Sequence, residues 1–234
     1  MTTRQEAAQA RREGLPQQAS RPSHRRCDES RESAPTVHVR ARMALVERKA
    51  TDSAPASLSF EGYASVTDTA YVMYDMFGEY TEKVNVGAFK STLARAGLDV
   101  PFVLAHDPLR RMARTLTGSL RLSEDGTGLR VEADLDPADA DVAYIRSKLE
   151  SGLIDEMSFR FRIIGGEWSA DWTEYHISEV DIHRGDVAIV GYGANPATAG
   201  AGLRSEPDAL ASPKVSRAVV FDDDDMDRRG RLLS

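Results

Sequence analysis

Between positions 37 and 203 the apolar residues recur mostly at every second place, the period of a strand with one face buried. Val37, Val39, Ala41, Met43 and Leu45 alternate with polar residues and predict a first strand, and Leu58 to Ala64 predicts a second. Val100 to Ala105 is a continuous apolar run suited to a buried strand, and it delivers His106 to that strand's end. Leu116 to Leu122 and Gly128 to Leu135 flank Asp125-Gly126, a dipeptide that tolerates the backbone of a tight hairpin turn, so these two runs are predicted to pair. Further strands are predicted over Met157 to Ile164, Glu174 to Ile182 and Asp186 to Tyr192. The first two of these are joined through Gly165-Gly166 and a loop bearing Trp168 and Trp172.

Two stretches follow helical spacing instead. Over Val84 to Ala96, Val86, Phe89 and Leu93 fall on one helix face and Gly97 supplies a stop. A clearer helix starts with Asp136 as N-cap and Pro137 at the first helical position, carries Asp139 near the positive dipole end, and ends before Gly152. Its apolar face is Val142, Ile145 and Leu149. About eight strands and two helices, joined by short turns rather than helical crossovers, predict a mainly β, α+β fold. The expected form is an antiparallel β-barrel or strongly bent sheet with peripheral helices.

Composition sets the limits of this domain. The 234 residues have room for one compact domain and tails. Residues 1–36 are Gln, Arg, Ser, Glu and Pro with scarcely an apolar side chain, so they cannot bury enough surface to offset the entropy of ordering and are predicted to be a disordered tail. Residues 204–234, with the run Asp222, Asp223, Asp224 and Asp225, are predicted to be another, which leaves 37–203 as the folded domain. Net charge is uneven: +5 over residues 1–50 and −10 over 51–204. The acidic body argues against broad nucleic-acid binding, which needs clustered cations. The lone cysteine, Cys27, excludes a disulfide-stapled scaffold, and no run of about 18 apolar residues or apolar signal segment is present. A soluble protein of the host or bacterial cytoplasm is expected.

The candidate chemistry centres on His106. An imidazole at the end of a buried strand is held rigidly and can act as a general base, although a structural histidine would occupy the same place. Ser158 lies in Met157-Ser158-Phe159-Arg160-Phe161, where alternation puts Ser158 and Arg160 on the face opposite Phe159 and Phe161. A hydroxyl becomes a useful nucleophile when an imidazole takes its proton and a third group orients that ring. Asp186, or His183 three residues earlier, is the candidate for the third place. No Gly-x-Ser-x-Gly, Ser-x-x-Lys or His-Glu-x-x-His element exists. A metal site built from His106, Asp107, His176 and His183 lacks the short fixed spacing of zinc ligands, and no cofactor or metal is expected.

Several segments in order resemble the prohead proteases of tailed phages, the serine peptidases of capsid maturation. They are Phe60-Glu61-Gly62-Tyr63-Ala64, Glu82 with Gly87-Ala88-Phe89, Leu104-Ala105-His106-Asp107, the Asp125 to Leu129 turn, Gly152 to Phe161, and Asp186 to Val190 followed by Ala194-Asn195-Pro196. The resemblance covers about residues 58–200. It implies a fold similar to the herpesvirus assemblin proteases, with His106 as base, Ser158 as nucleophile and Asp186 as the acid; the herpesvirus relatives use a second histidine in the third place, and His183 lies close by. It also implies cleavage of the scaffolding segment of the major capsid protein inside the procapsid, and autoproteolysis of the tails. Whether the chain forms a homo-oligomer is left open. Three positions depart from the family pattern: Arg160 where glycine is common, Val187-Ala188 where Val-Ser is usual, and Gly191-Tyr192-Gly193 before Ala-Asn-Pro. Arg160 either crowds the cleft or helps to hold an oxyanion, a role arginine serves in the herpesvirus relatives. The competing readings are a noncatalytic scaffolding module on the same fold and a metal-dependent hydrolase.

Overall fold

The computed structural model describes residues 3–14, 21–22, 44–48 and 57–193. Within them lie helices α1 (Arg4–Gly14), α2 (Lys90–Leu93) and α3 (Ala140–Glu150). The strands are β1 (Ala44–Arg48), β2 (Ser57–Val66), β3 (Tyr71–Tyr74), β4 (Glu79–Val84), β5 (Pro101–Leu104), β6 (Arg111–Arg114), β7 (Leu120–Glu124), β8 (Gly128–Leu135), β9 (Glu156–Trp168) and β10 (Glu174–Val190). The protein is mainly β, with a few helices.

The strands make two sheets. One is four-stranded and antiparallel, in the order β1-β2-β8-β7. The other is six-stranded, in the order β3-β4-β10-β5-β6, with β9 pairing along the other edge of β10. Against the antiparallel expectation, β10 runs parallel to both β4 and β5. Nor does any pairing among the described residues close the sheets into a barrel. Both sheets contribute to one core, in which the rings of Phe60 of β2 and Phe102 of β5 lie 4.8 Å apart at a tilt of 43°. Helix α3 adds Val142, Ile145 and Leu149 to that core, each burial worth about 1.5–3 kcal/mol.

The hairpin at Asp125-Gly126 forms as the sequence indicates, with Asp125 Oδ1 accepting from the Thr127 and Gly128 amides at 2.8 and 3.2 Å. Other boundaries differ. The cap of α3 is Asp139, which accepts from the Asp141 and Val142 amides, while Asp136 closes only the preceding turn through Ala138. The helix expected over Val84 to Ala96 shrinks to the single turn of α2. Val84 belongs to β4, and Val86 is exposed rather than on a buried face. The strand expected from Leu116 begins only at Leu120, because Thr115–Thr117 forms a 3-10 turn ended by Gly118 at φ 74°. The segments expected as Glu174 to Ile182 and Asp186 to Tyr192 are one continuous strand, irregular between Asp181 and Asp186. Likewise β9 runs through Gly165-Gly166 to Trp168.

The largest departure is at the N-terminus. Residues 1–36, read as a disordered tail, contain α1, whose Ala7, Ala8 and Arg11 are buried. A low apolar content does not prevent docking when one guanidinium supplies several charge-assisted hydrogen bonds. Of the strand expected over Val37 to Leu45, Ala44 and Leu45 belong to β1, while its earlier residues and the tail at 204–234 lie outside the described residues. Among the described residues no helix is long and apolar enough to cross a membrane.

Candidate active site

Strand alternation assigns the faces of the β9–β10–β5 region. Val187 and Ile189 of β10 enter the main core, together with Phe102 and Leu104 of β5. Ala188 and Val190 therefore point the other way and meet Val103 in a separate small cluster. Ser158 is the register partner of Ala188 on one side and Val103 its partner on the other. Arg160 is the register partner of Asp186. Ser158, Arg160, Ala188 and Asp186 thus share one sheet face.

His106 comes to the same face by an unusual turn. Beyond β5, Ala105 and His106 both adopt left-handed backbone, at φ 51° and 57°, which costs a non-glycine residue about 1–2 kcal/mol. The Ala105 amide still bonds to Ile189 O at 2.8 Å, so the turn begins level with Ile189 and sends the imidazole back across the sheet. His106 Nδ1 reaches Asp186 Oδ1 at 2.6 Å, two positions along β10 from Ala188. In the neutral tautomer Nδ1–H donates to the carboxylate, leaving Nε2 for a second partner.

Asp186 is buried, at 4% exposure, and holds the ring at one oxygen. Arg160 Nε stands 3.8 Å from its other oxygen, and the Arg160 Nη2 donates to His106 O at 3.4 Å. Arg160 therefore borders the acid and the left-handed turn together, while its own side chain remains largely exposed. Ser158 is half-buried, and among the described residues no hydrogen bond joins its Oγ to the imidazole. Catalytic hydrogen bonds commonly tighten only in the substrate complex.

Among the described residues the two other histidines, His176 and His183, are committed elsewhere. His183 Nδ1 accepts from the Asp99 amide at 3.1 Å, so of the two candidates for the third place it is Asp186 that stands beside His106. The carboxyl of Asp99 is held below its usual range by the Arg114 fork, at 2.7 Å from each oxygen. His176 Nε2 contacts Glu174 Oε1 at 2.5 Å. His176 and His183 thus have partners other than His106 and Asp107, and among the described residues no group of three or more His, Cys, Asp or Glu could hold a metal ion.

A groove of about 290 Å³ lies farther along the same ribbon, lined by Thr92, Arg95, Ile164, Glu179 and Asp181 among others. Burial would raise the Asp181 carboxyl, but the hydrogen bond from Arg162 and the nearby Arg95 hold it below the usual range. Ile164 is six residues from Ser158, about 20 Å of strand, so this groove is separate from the His106–Asp186 pair.

Two features of the site escape sequence reading. Ala188 lies buried between Ser158 and Val103 in register, and no local motif marks that place. The left-handed turn at Ala105-His106 has no glycine to announce it.

An acid, an imidazole and a hydroxyl on one face of a rigid sheet are the parts of serine-peptidase chemistry. Compared with known families, residues 44–209 match the caudovirus prohead serine proteases, and the chain belongs to that family. It is accordingly a serine peptidase of phage capsid maturation, whose place of action is the procapsid interior. No curated protein and no solved structure matched.

Proposed function

We propose that the chain is an endopeptidase that cuts the scaffolding segment of the major capsid protein inside the procapsid, and its own tails, with Ser158 as nucleophile. In this reading Ser158 Oγ attacks the scissile carbonyl while His106 Nε2 takes its proton. The tetrahedral intermediate collapses as the imidazolium returns that proton to the leaving amine. Water, deprotonated by the same ring, then releases the acyl group from the serine. Asp186 keeps Nδ1 protonated and stabilises the imidazolium.

The observation that supports this most is the 2.6 Å contact between His106 Nδ1 and Asp186 Oδ1 on the sheet face that also carries Ser158. Arg160, bordering both, is the cation placed to offset negative charge at the reacting carbonyl. The likeness to the assemblin proteases is part of the same proposal: a serine and a histidine on strands either side of a shared neighbour.

The test is coexpression with the major capsid protein of the same phage. Wild type is expected to shorten the capsid protein and its own ends. Ser158→Ala is expected to leave both intact while shells still assemble, and a fluorophosphonate probe labels wild type alone. Identical trimming in the two proteins, or defective assembly with cleavage unchanged, overturns the reading.

A further inference from the structure

The arginine of α1 sits in a built site. Arg11 is fully buried, and its Nε and Nη2 donate to Asp75 Oδ2 and Oδ1 at 2.7 and 2.9 Å. Nη2 also donates to the carbonyls of Gly78 and Glu79 at 2.8 and 3.0 Å, and Nη1 to Trp172 O at 3.4 Å. The guanidinium carbon stands 4.9 Å from the ring centre of Trp168 and 5.1 Å from that of Tyr80. A planar cation with five donors is thus met by a bidentate carboxylate, three carbonyls and two aromatic faces, a set that a lysine ammonium cannot satisfy.

The rest of the arm follows the same chemistry. Arg4 Nε donates to Glu79 at 2.9 Å, Arg12 to Ala170 O at 3.1 Å, and Arg21 to Ile164 O at 2.8 Å. Cations of the N-terminal region are therefore held by carboxylates and carbonyls of an acidic body, which matches the opposite net charges of the two parts. Among the described residues of the arm the buried apolar side chains are small, Ala7 and Ala8, and a Cβ added at Gly14 would lie 3.0 Å from the Phe77 ring.

Residues 23–43 separate this arm from β1. A chain of that length spans at most about 70 Å, against a diameter of about 40 Å for a domain of this size. An element docked by a specific socket, on a chain whose maximum reach exceeds the body, can fill the socket of a neighbouring copy as well as its own. We propose that the Asp75–Trp168 socket is an arginine-reading docking site for α1, and that α1 of one copy fills the socket of a second. The partner is another copy of this chain, and confinement in a procapsid interior raises the chain concentration toward that at which exchange competes with the tethered arm. This inference does not depend on which residues carry the chemistry.

Complementation between full-length variants tests it, because each variant lacks one half of the contact. Arg11→Ala has an intact socket and no anchor, whereas Asp75→Asn has an intact anchor and an impaired socket. Each alone is expected to be monomeric, and a mixture at tens of micromolar is expected to give a one-to-one complex in native mass spectrometry. As a second donor independent of folding, a synthetic peptide of residues 3–22 is added to the Arg11→Ala chain. It is expected to change tryptophan emission, since Trp168 lies under the guanidinium, and to bind roughly tenfold or more tighter than its counterpart with Ala at position 11. No complex in the mixture together with no difference between the peptides overturns the proposal. If Asp75→Asn does not fold, the peptide comparison decides alone.

Discussion

His106 Nδ1 and Asp186 Oδ1 stand 2.6 Å apart although 80 residues separate them in the chain. The contact depends on two backbone features: the left-handed turn that swings the imidazole back over the sheet, and the pairing of β10 beside β5 that presents the carboxylate there. Replacing Asp186 by Asn keeps the shape and removes the acceptor that selects the Nδ1–H tautomer. In our reading kcat/KM for capsid-protein cleavage falls by about 10³–10⁴ with the thermal midpoint little changed. Activity within a few fold of wild type would show that this carboxylate does not serve the reaction.

Ala188 tests the path between acid and nucleophile. It lies between Ser158 and Val103 in register and is fully buried, on the strand that presents Asp186; in our reading the ring passes over its methyl group. Ala188→Val places branched bulk there and is expected to lower kcat strongly while costing about 1–3 kcal/mol of stability through overpacking. Ala188→Ser, the residue usual in the family pattern, is expected to retain activity within a few fold. Paired kinetics and denaturant midpoints check both. A valine variant as active as wild type would mean that the imidazole does not cross this position.

Much of this site was legible in the sequence, for identifiable reasons. Period-two alternation put Ser158 and Arg160 opposite Phe159 and Phe161, and the continuous apolar run from Val100 led directly to His106. Both signals are local, and the order of the family-like segments supplied the long-range link. What local pattern could not supply was pairing partners. β3, β4 and β6 are short and carry Tyr, Met, Glu and Arg rather than a clean apolar alternation, so they were not anticipated. Parallel pairing of β10 with β4 and β5 is a matter of topology, invisible to periodicity. That Asp186 rather than His183 lies beside His106 goes with the Asp99 amide, which takes His183 as its acceptor, a contact no local pattern announces. Composition misread α1, whose docking rests on one buried cation rather than on an apolar stripe.

The Asp99–Arg114 pair sets an acid limit on the joint that holds His183. Its carboxyl titrates below the ordinary 3.8 because Arg114 hydrogen-bonds the charged form. The folded state therefore releases this proton more readily than the unfolded chain. The resulting stability is fully present above the unfolded value and is lost as pH falls through the lower folded one. Wild type is expected to exceed Asp99→Asn in urea midpoint at pH 6, with the gap closing below pH 3.8. A gap that widens on acidification contradicts the sign.

Gly185 is where the two long strands approach too closely for any side chain. A Cβ there would lie 1.8 Å from Arg160 O and 2.9 Å from Arg160 C, and backbone cannot yield as a flexible side-chain tip would. The position directly precedes Asp186 and falls in the irregular stretch between Asp181 and Asp186, so relieving the clash must open the Asp186–Arg160 pairing. Gly185→Ala is expected to cost about 2 kcal/mol or more. It should also lower kcat, because the carboxylate moves away from the imidazole. Gly191→Ala provides the control: nothing lies within 4 Å of its added Cβ, and stability is expected to stay within about 0.5 kcal/mol of wild type. If both variants unfold at the wild-type midpoint and cleave normally, the close approach of β9 and β10 does not hold Asp186 in place.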